Sequence, residues 1–184
     1  MQDDSVDAGA WYRPARVHVD EYDARWPEIY QKEAPRIAAA MGIDLIAIEH
    51  VGSTAVPGMA AKPIIDILAA VTTWVRFDDM VTKLCELGYV YTPESEADDP
   101  NRRVFRKGST DMSLLRTHHL HITGPESLYW RRIIAFRDQL RSNAADAATY
   151  IQLKKALAAE FAHDSAVTRP GSRSSSRRWN ASGA

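Results

Sequence analysis

Apolar and polar positions along the chain follow two rhythms. From Tyr22 to Met41, the residues Trp26, Ile29, Tyr30, Ile37 and Met41 fall roughly on one face of a helix. Asp20 or Asp23 is suited to cap its start and Gly42 to end it. An unbroken apolar run, Ile43 to Ile48, then predicts a buried strand, and a second run, Ile64 to Val71, predicts another. Helical spacing returns over 77–87 and stops at Gly88. Residues 89–92 predict a short strand, and the acidic, turn-rich segment Pro93 to Asn101 a loop. Val104 to Lys107 predicts a short strand, Leu114 to Ile122 a longer one, and the segments near 126–141 and 146–162 two closing helices. No internal repeat is found.

Composition narrows this picture. The chain has 184 residues, 45% hydrophobic and 26% charged, enough for one domain with a core. A net charge of −1 gives no general attraction for nucleic acid or an anionic membrane. No apolar run approaches the roughly 20 residues that span a bilayer. The acidic start lacks a basic-then-apolar signal, and the single Cys85 rules out an internal disulfide, so a cytoplasmic location is expected. Cys85 lies in a helical pattern, Met80 to Leu87, and reads as a small core residue rather than a nucleophile. Residues 1–16 read as a flexible lead and 17–164 as the folded domain. The Ser-, Arg-, Gly- and Ala-rich stretch 165–184 is expected to be disordered or weakly docked. Arg173, Arg177 and Arg178 could touch an anion there, although a solvated tail is the simpler reading.

Chemistry concentrates in the stretch Glu49 to Ile67. Gly52-Ser53 forms a small turn after the first strand, and Asp66 follows inside the second apolar run. Backbone N–H groups in such a turn can bind phosphate oxygens, and a strand holds a carboxylate in place. Ser53 could instead cap a helix. Asp66 needs a partner in apolar surroundings: a metal ion, Lys62 or an arginine. Glu49 and His50, at the end of the first strand, are candidate ligands or supporting groups. Along strand 114–122, Thr117, His119 and His121 share one face and His118, Leu120 and Ile122 the other. Two histidines at i and i+2 can reach one metal ion, though an H-x-H alone also fits an ordinary polar face. Arg103 and Arg116 sit at strand positions from which a guanidinium could fork onto a phosphate or carboxylate. The chain has no Walker loop, dinucleotide fingerprint, nucleophile elbow or paired-cysteine zinc pattern.

Several motifs together resemble the GrpB family of the nucleotidyltransferase-like superfamily. They include Tyr22-Asp23-Ala24-Arg25-Trp26-Pro27, the run Ile48 to Gly58, Ala61-Lys62-Pro63-Ile64-Ile65-Asp66-Ile67, Leu87-Gly88-Tyr89, Arg103-Val104-Phe105, His119-Leu120-His121, Phe136 to Arg141, and Tyr150-Ile151-Gln152-Leu153-Lys154. The resemblance implies an α/β (α+β) fold, with a mixed or antiparallel central sheet flanked by helices. It also implies a site around Gly52-Ser53 and Asp66. Superfamily transferases usually carry Asp-x-Asp or Asp-x-Glu after Gly-Ser, whereas Leu68 stands at the second position here. The tail from Ser165 also departs from the family pattern.

The resulting expectation is a metal-dependent enzyme acting on a nucleotide or other phosphorylated small molecule. Asp66, Lys62 and Arg103 would serve the chemistry, and Gly52, Ser53, His50 and Arg116 would bind phosphate or substrate. Asp66, His119 and His121 would hold a divalent ion, Zn²⁺, Mn²⁺ or Mg²⁺. Similar domains fused to dephospho-CoA kinase suggest a nucleotide or CoA connection. A ligase, cyclase or hydrolase on the same scaffold, or a non-catalytic nucleotide- or CoA-binding module, are the alternatives.

Overall fold

The computed structural model describes residues 19–96, 99–108 and 116–160, the side chains of 158–160 excepted. The expected lead and tail therefore lie outside the described residues. The elements in chain order are α1 (Arg25–Met41), β1 (Leu45–Val51), β2 (Ile65–Val71), α2 (Phe77–Glu86), β3 (Tyr89–Tyr91), β4 (Arg103–Gly108), β5 (Arg116–Thr123), α3 (Leu128–Ser142) and α4 (Ala144–Glu160).

The five strands form one sheet in the order β1-β2-β5-β4-β3. β2 and β5 run parallel, and the other pairs are antiparallel, so the sheet is mixed. A parallel pair cannot be closed by a hairpin, and the chain uses α2, β3 and β4 to return. β2 thereby becomes an interior strand with β1 and β5 as neighbours, which fixes the surroundings of Asp66.

The two faces of the sheet differ. Ile65, Ile67, Ala69 and Val71 of β2 join Phe105, Leu120 and Ile122 in a core closed by Trp26, Ile37 and Met41 of α1 and Met80 and Leu84 of α2. Strand alternation turns Asp66, Leu68, His119 and His121 to the other face. There a smaller cluster, Val56, Met59, Leu140 and Tyr150, joins α3 and α4 to the loop between β1 and β2. Among the described residues, no helix is long and apolar enough to cross a membrane.

Several local expectations are corrected. α1 begins at Arg25 rather than Tyr22, with Asp23 Oδ1 accepting from the Arg25 N–H at 2.8 Å. Gly42 does end the helix, at φ 63°. The run Ile43 to Ile48 is not wholly buried: Ile43 is 84% exposed and Ile46 49% exposed. β1 is the outermost strand, so its residues lack neighbours on one edge. Ile29 also stands partly outside the core face of its helix. Cys85 is exposed, because Leu84 takes the inward position on α2.

Candidate functional site

The site starts from strand register. Asp66 lies opposite Val51 of β1 and beside His119 of β5. Immediately after Val51 the chain turns at Gly52, whose φ of +71° suits glycine. A Cβ at this position would collide with Asp66 Oδ2 and stand 3.0 Å from Asp66 Cβ. Glycine is therefore required both by the backbone angle and by the carboxylate lying flush against it. A single 3-10 turn, Ser53–Ala55, follows.

His50 braces this turn from the core side. Its Nε2 lies 3.1 Å from Thr54 Oγ1, and that hydroxyl donates to the Ile64 carbonyl at 3.2 Å. The imidazole stacks on Tyr30 with centroids 4.8 Å apart. Burial pushes the His50 pKa down to about 4, despite the opposing pull of Asp66 and with help from Arg141 and Arg137. At neutral pH it is an uncharged strut beneath the turn.

On the open side, His119 Nδ1 meets Asp66 Oδ1 at 3.1 Å. Burial alone would raise the Asp66 pKa. The hydrogen bond from His119 is the largest opposing effect, and the Asp66 pKa stays below the ordinary carboxylate value. An ionised carboxylate only accepts, so Nδ1 carries the proton. His119 Nε2 is buried without a hydrogen-bond partner, as is His121 Nδ1. The two rings stand 6.5 Å apart. Burial, reinforced by His119, Arg102 and Arg106 and opposed by Asp66, drives the His121 pKa down to about 3. Tyr129 borders this group, its ring 5.8 Å from His121 and 4.7 Å from the Arg102 guanidinium carbon. Among the described residues, no three His, Cys, Asp or Glu side chains are grouped so as to hold a metal ion as they stand.

The other flank of the turn is closed by α4. Lys154 Nζ donates to Ser53 Oγ at 2.8 Å and to the Ala60 carbonyl at 3.0 Å. Burial lowers its pKa to about 8, with Asp66 opposing and Lys62 adding to the shift. A narrow recess of about 20 Å³ beside the turn is lined by Gly52, Ser53, Ile133, Phe136, Arg137, Leu140 and Tyr150. Arg137 secures the neighbouring strand through Glu49 at 2.7 Å and the His50 carbonyl at 3.0 Å.

Seven of the residues singled out in the sequence therefore meet or adjoin here: Gly52, Ser53, Lys62, Asp66, His119, His121 and, from the core side, His50. One does not. Arg103 lies on the opposite face, paired with Glu96 at 3.3 Å and set over the Trp74 ring at 5.2 Å. Its register partner is Ile122, a core residue, which explains the direction it takes. Arg116 pairs with Gly108 past a β-bulge that interrupts the alternation of β5, so its face does not follow that of His118. The His50 side chain is only 6% exposed, consistent with a brace and not a ligand contact. Sequence reasoning gave no role to Lys154, Tyr129 or Arg102. Lys154 did leave a trace: it stands at i+4 from Tyr150 and i−3 from Leu157, both buried, so a lysine interrupts the inward stripe of α4.

The family model for the GrpB protein matches residues 16–169. The chain belongs to the GrpB family. It is 40% identical over 144 residues to a UPF0157 protein of Halalkalibacterium halodurans, covering 78% of this chain and 70% of that one. The crystal structure of conserved protein GrpB from Enterococcus faecalis superposes with a TM-score of 0.70 at 38% identity, covering 78% of this chain and 84% of that chain. A dephospho-CoA kinase of Mycolicibacterium paratuberculosis is 33% identical over 127 residues, 67% of this chain but only 29% of the kinase. The mixed α/β architecture of this GrpB chain thus has an experimentally determined counterpart in its own family.

Proposed function

We propose that the Gly52-Ser53 turn binds the phosphate of a nucleotide or another phosphorylated small molecule, with Asp66 serving the chemistry beside it, and that this GrpB chain acts on it as a nucleotidyltransferase-like enzyme in the cytoplasm. The observation that carries this reading is the ionised Asp66 carboxylate seated against the glycine of the turn and oriented by His119. The turn that Gly52 opens can present backbone N–H groups to a phosphate. Lys62 offsets phosphate charge. The His119 Nδ1–H bond fixes the ring, leaving Nε2 able to accept a proton or bind an electrophile.

A divalent ion, Zn²⁺, Mn²⁺ or Mg²⁺, would be held by Asp66, His119 and His121. One carboxylate and two imidazoles with unpartnered nitrogens suit such an ion chemically. When bound it would supply Lewis-acid polarisation of phosphate oxygens. The likeness to a stretch of dephospho-CoA kinase makes adenine nucleotides and CoA the first ligands to try.

One observation favours a second reading, a non-catalytic nucleotide- or CoA-binding module. The next position of β2 on the same face is Leu68, fully buried, so β2 offers a single acid. Calorimetric titration with ATP, ADP, CoA and dephospho-CoA, with and without Mn²⁺, Zn²⁺ or Mg²⁺, separates the two. Metal-dependent binding and turnover that disappear in Asp66→Asn support the enzyme. Binding without turnover that survives Asp66→Asn supports the module. No binding by any of these ligands sinks both.

A further inference from the structure

Lys154 poses a physical problem that the reading above does not use. Its side chain is partly buried, yet both hydrogen bonds it makes go to neutral oxygens, Ser53 Oγ and Ala60 O. Among the described residues, no carboxylate stands within ion-pair distance of its ammonium. The Tyr150 ring, 5.8 Å away, offers only a weak cation–π contact. Asp66 acts on the ammonium from beyond ion-pair distance, and Lys62 adds an opposing positive potential. An ammonium has three N–H donors, of which two are used. A cation drawn off the surface without a direct ion-pair partner is costly, and the cost is relieved when an anion arrives.

We infer that Lys154 is the principal cationic contact for the ligand's phosphate, held ready beside the Gly52-Ser53 turn by Ser53 and Ala60. This rests on the phosphate-site reading and adds the group that neutralises the incoming charge. In this arrangement α4 is an integral part of the site. Its packing through Tyr150 against Val56 and Met59 brings the lysine to the turn. A purely structural lysine would also bridge Ser53 and Ala60, but its loss would then lower stability. A lysine placed for an anion makes the opposite prediction, because removing an unpaired inward charge relieves the ligand-free protein.

The test uses inorganic pyrophosphate as the probe in phosphate-free buffer, measured by calorimetry, together with thermal unfolding of the ligand-free proteins. Lys154→Met should weaken pyrophosphate binding by about tenfold or more, the loss of a charge-assisted hydrogen bond. Its ligand-free Tm should equal or exceed that of the unaltered chain. Lys154→Arg should recover most of the binding. Unchanged binding in Lys154→Met, or a Tm several degrees lower, overturns the inference and leaves the phosphate site standing. Absence of pyrophosphate, ATP and CoA binding in the unaltered chain overturns both. Lys154-dependent pyrophosphate binding that ignores Asp66→Asn and is not matched by ATP or CoA keeps the role of Lys154 and removes the nucleotide reading.

Discussion

Two lysines are drawn inward on opposite sides of the sheet, and they end differently. Lys107, on the side covered by α1, donates to Glu33 Oε1 at 2.6 Å, and Arg36 reaches the other oxygen of Glu33 at 2.8 Å. Lys154, on the side of α4, meets only neutral oxygens. Both faces also hold buried polar atoms without hydrogen-bond partners. On the covered side, Tyr89 Oη and His118 Nε2 lack hydrogen-bond partners and both border the Glu33–Lys107 pair. On the site side, His119 Nε2 and His121 Nδ1 near Asp66, and Arg102 Nε beside Tyr129, are left open. Buried polar groups are normally satisfied. A lysine closed by a carboxylate serves stability, whereas one left with neutral oxygens is arranged for something that arrives later.

The largest expected effect tests the closed side. Lys107→Met leaves Glu33 buried with Arg36 alone and should cost about 3 kcal/mol in urea unfolding. A cost below that of Lys154→Met at pH 7 would erase the contrast. Gly52→Ala comes next. Its Cβ meets the Asp66 carboxylate and its backbone is left-handed, so a loss of about 2–3 kcal/mol is expected. Pairing it with Asp66→Ala should return part of that loss in a double-mutant cycle, because the collision partner is gone.

A third prediction concerns His50, which solves the buried-charge problem by staying neutral. Its folded pKa of about 4 lies below the ordinary value of 6.5, so the unfolded chain binds the extra proton between these values. Stability contributed by the neutral ring is complete above pH 6.5 and is lost as pH falls toward 4. The slope is about 1.4 kcal/mol per pH unit for one proton. Urea unfolding at stepped pH should lose that component in His50→Leu. The smallest effect is assigned to Arg103. Because it faces Trp74 and Glu96, Arg103→Ala should change stability by less than about 1 kcal/mol and leave pyrophosphate binding untouched. A weakened affinity would return Arg103 to the site.

Much of this was legible in the chain itself. Helical spacing or a short apolar run marked the four α-helices and five strands among the described residues, because such patterns span a few residues and need no distant partner. The Gly52-Ser53 turn and Asp66 stood out for a similar reason: a glycine after an apolar run and an acid within another are anomalies visible in place. The alternation of 117–121 also separated His119 and His121 from His118, since side-chain direction on a strand is a matter of parity.

What parity could not give was which face of each strand meets which neighbour. Arg103 was a reasonable phosphate ligand until register set it opposite Ile122 and turned it into the α1 and α2 side. His50 was a reasonable substrate contact until packing on Tyr30 made it a brace. Lys154 lies 101 residues from Ser53, and nothing short of the docking of α4 could join them. The sequence by itself determined the elements, the glycine turn and the acid. The tertiary structure decided the partners, because hydrogen bonds and charge compensation depend on distances between segments that the local pattern does not encode.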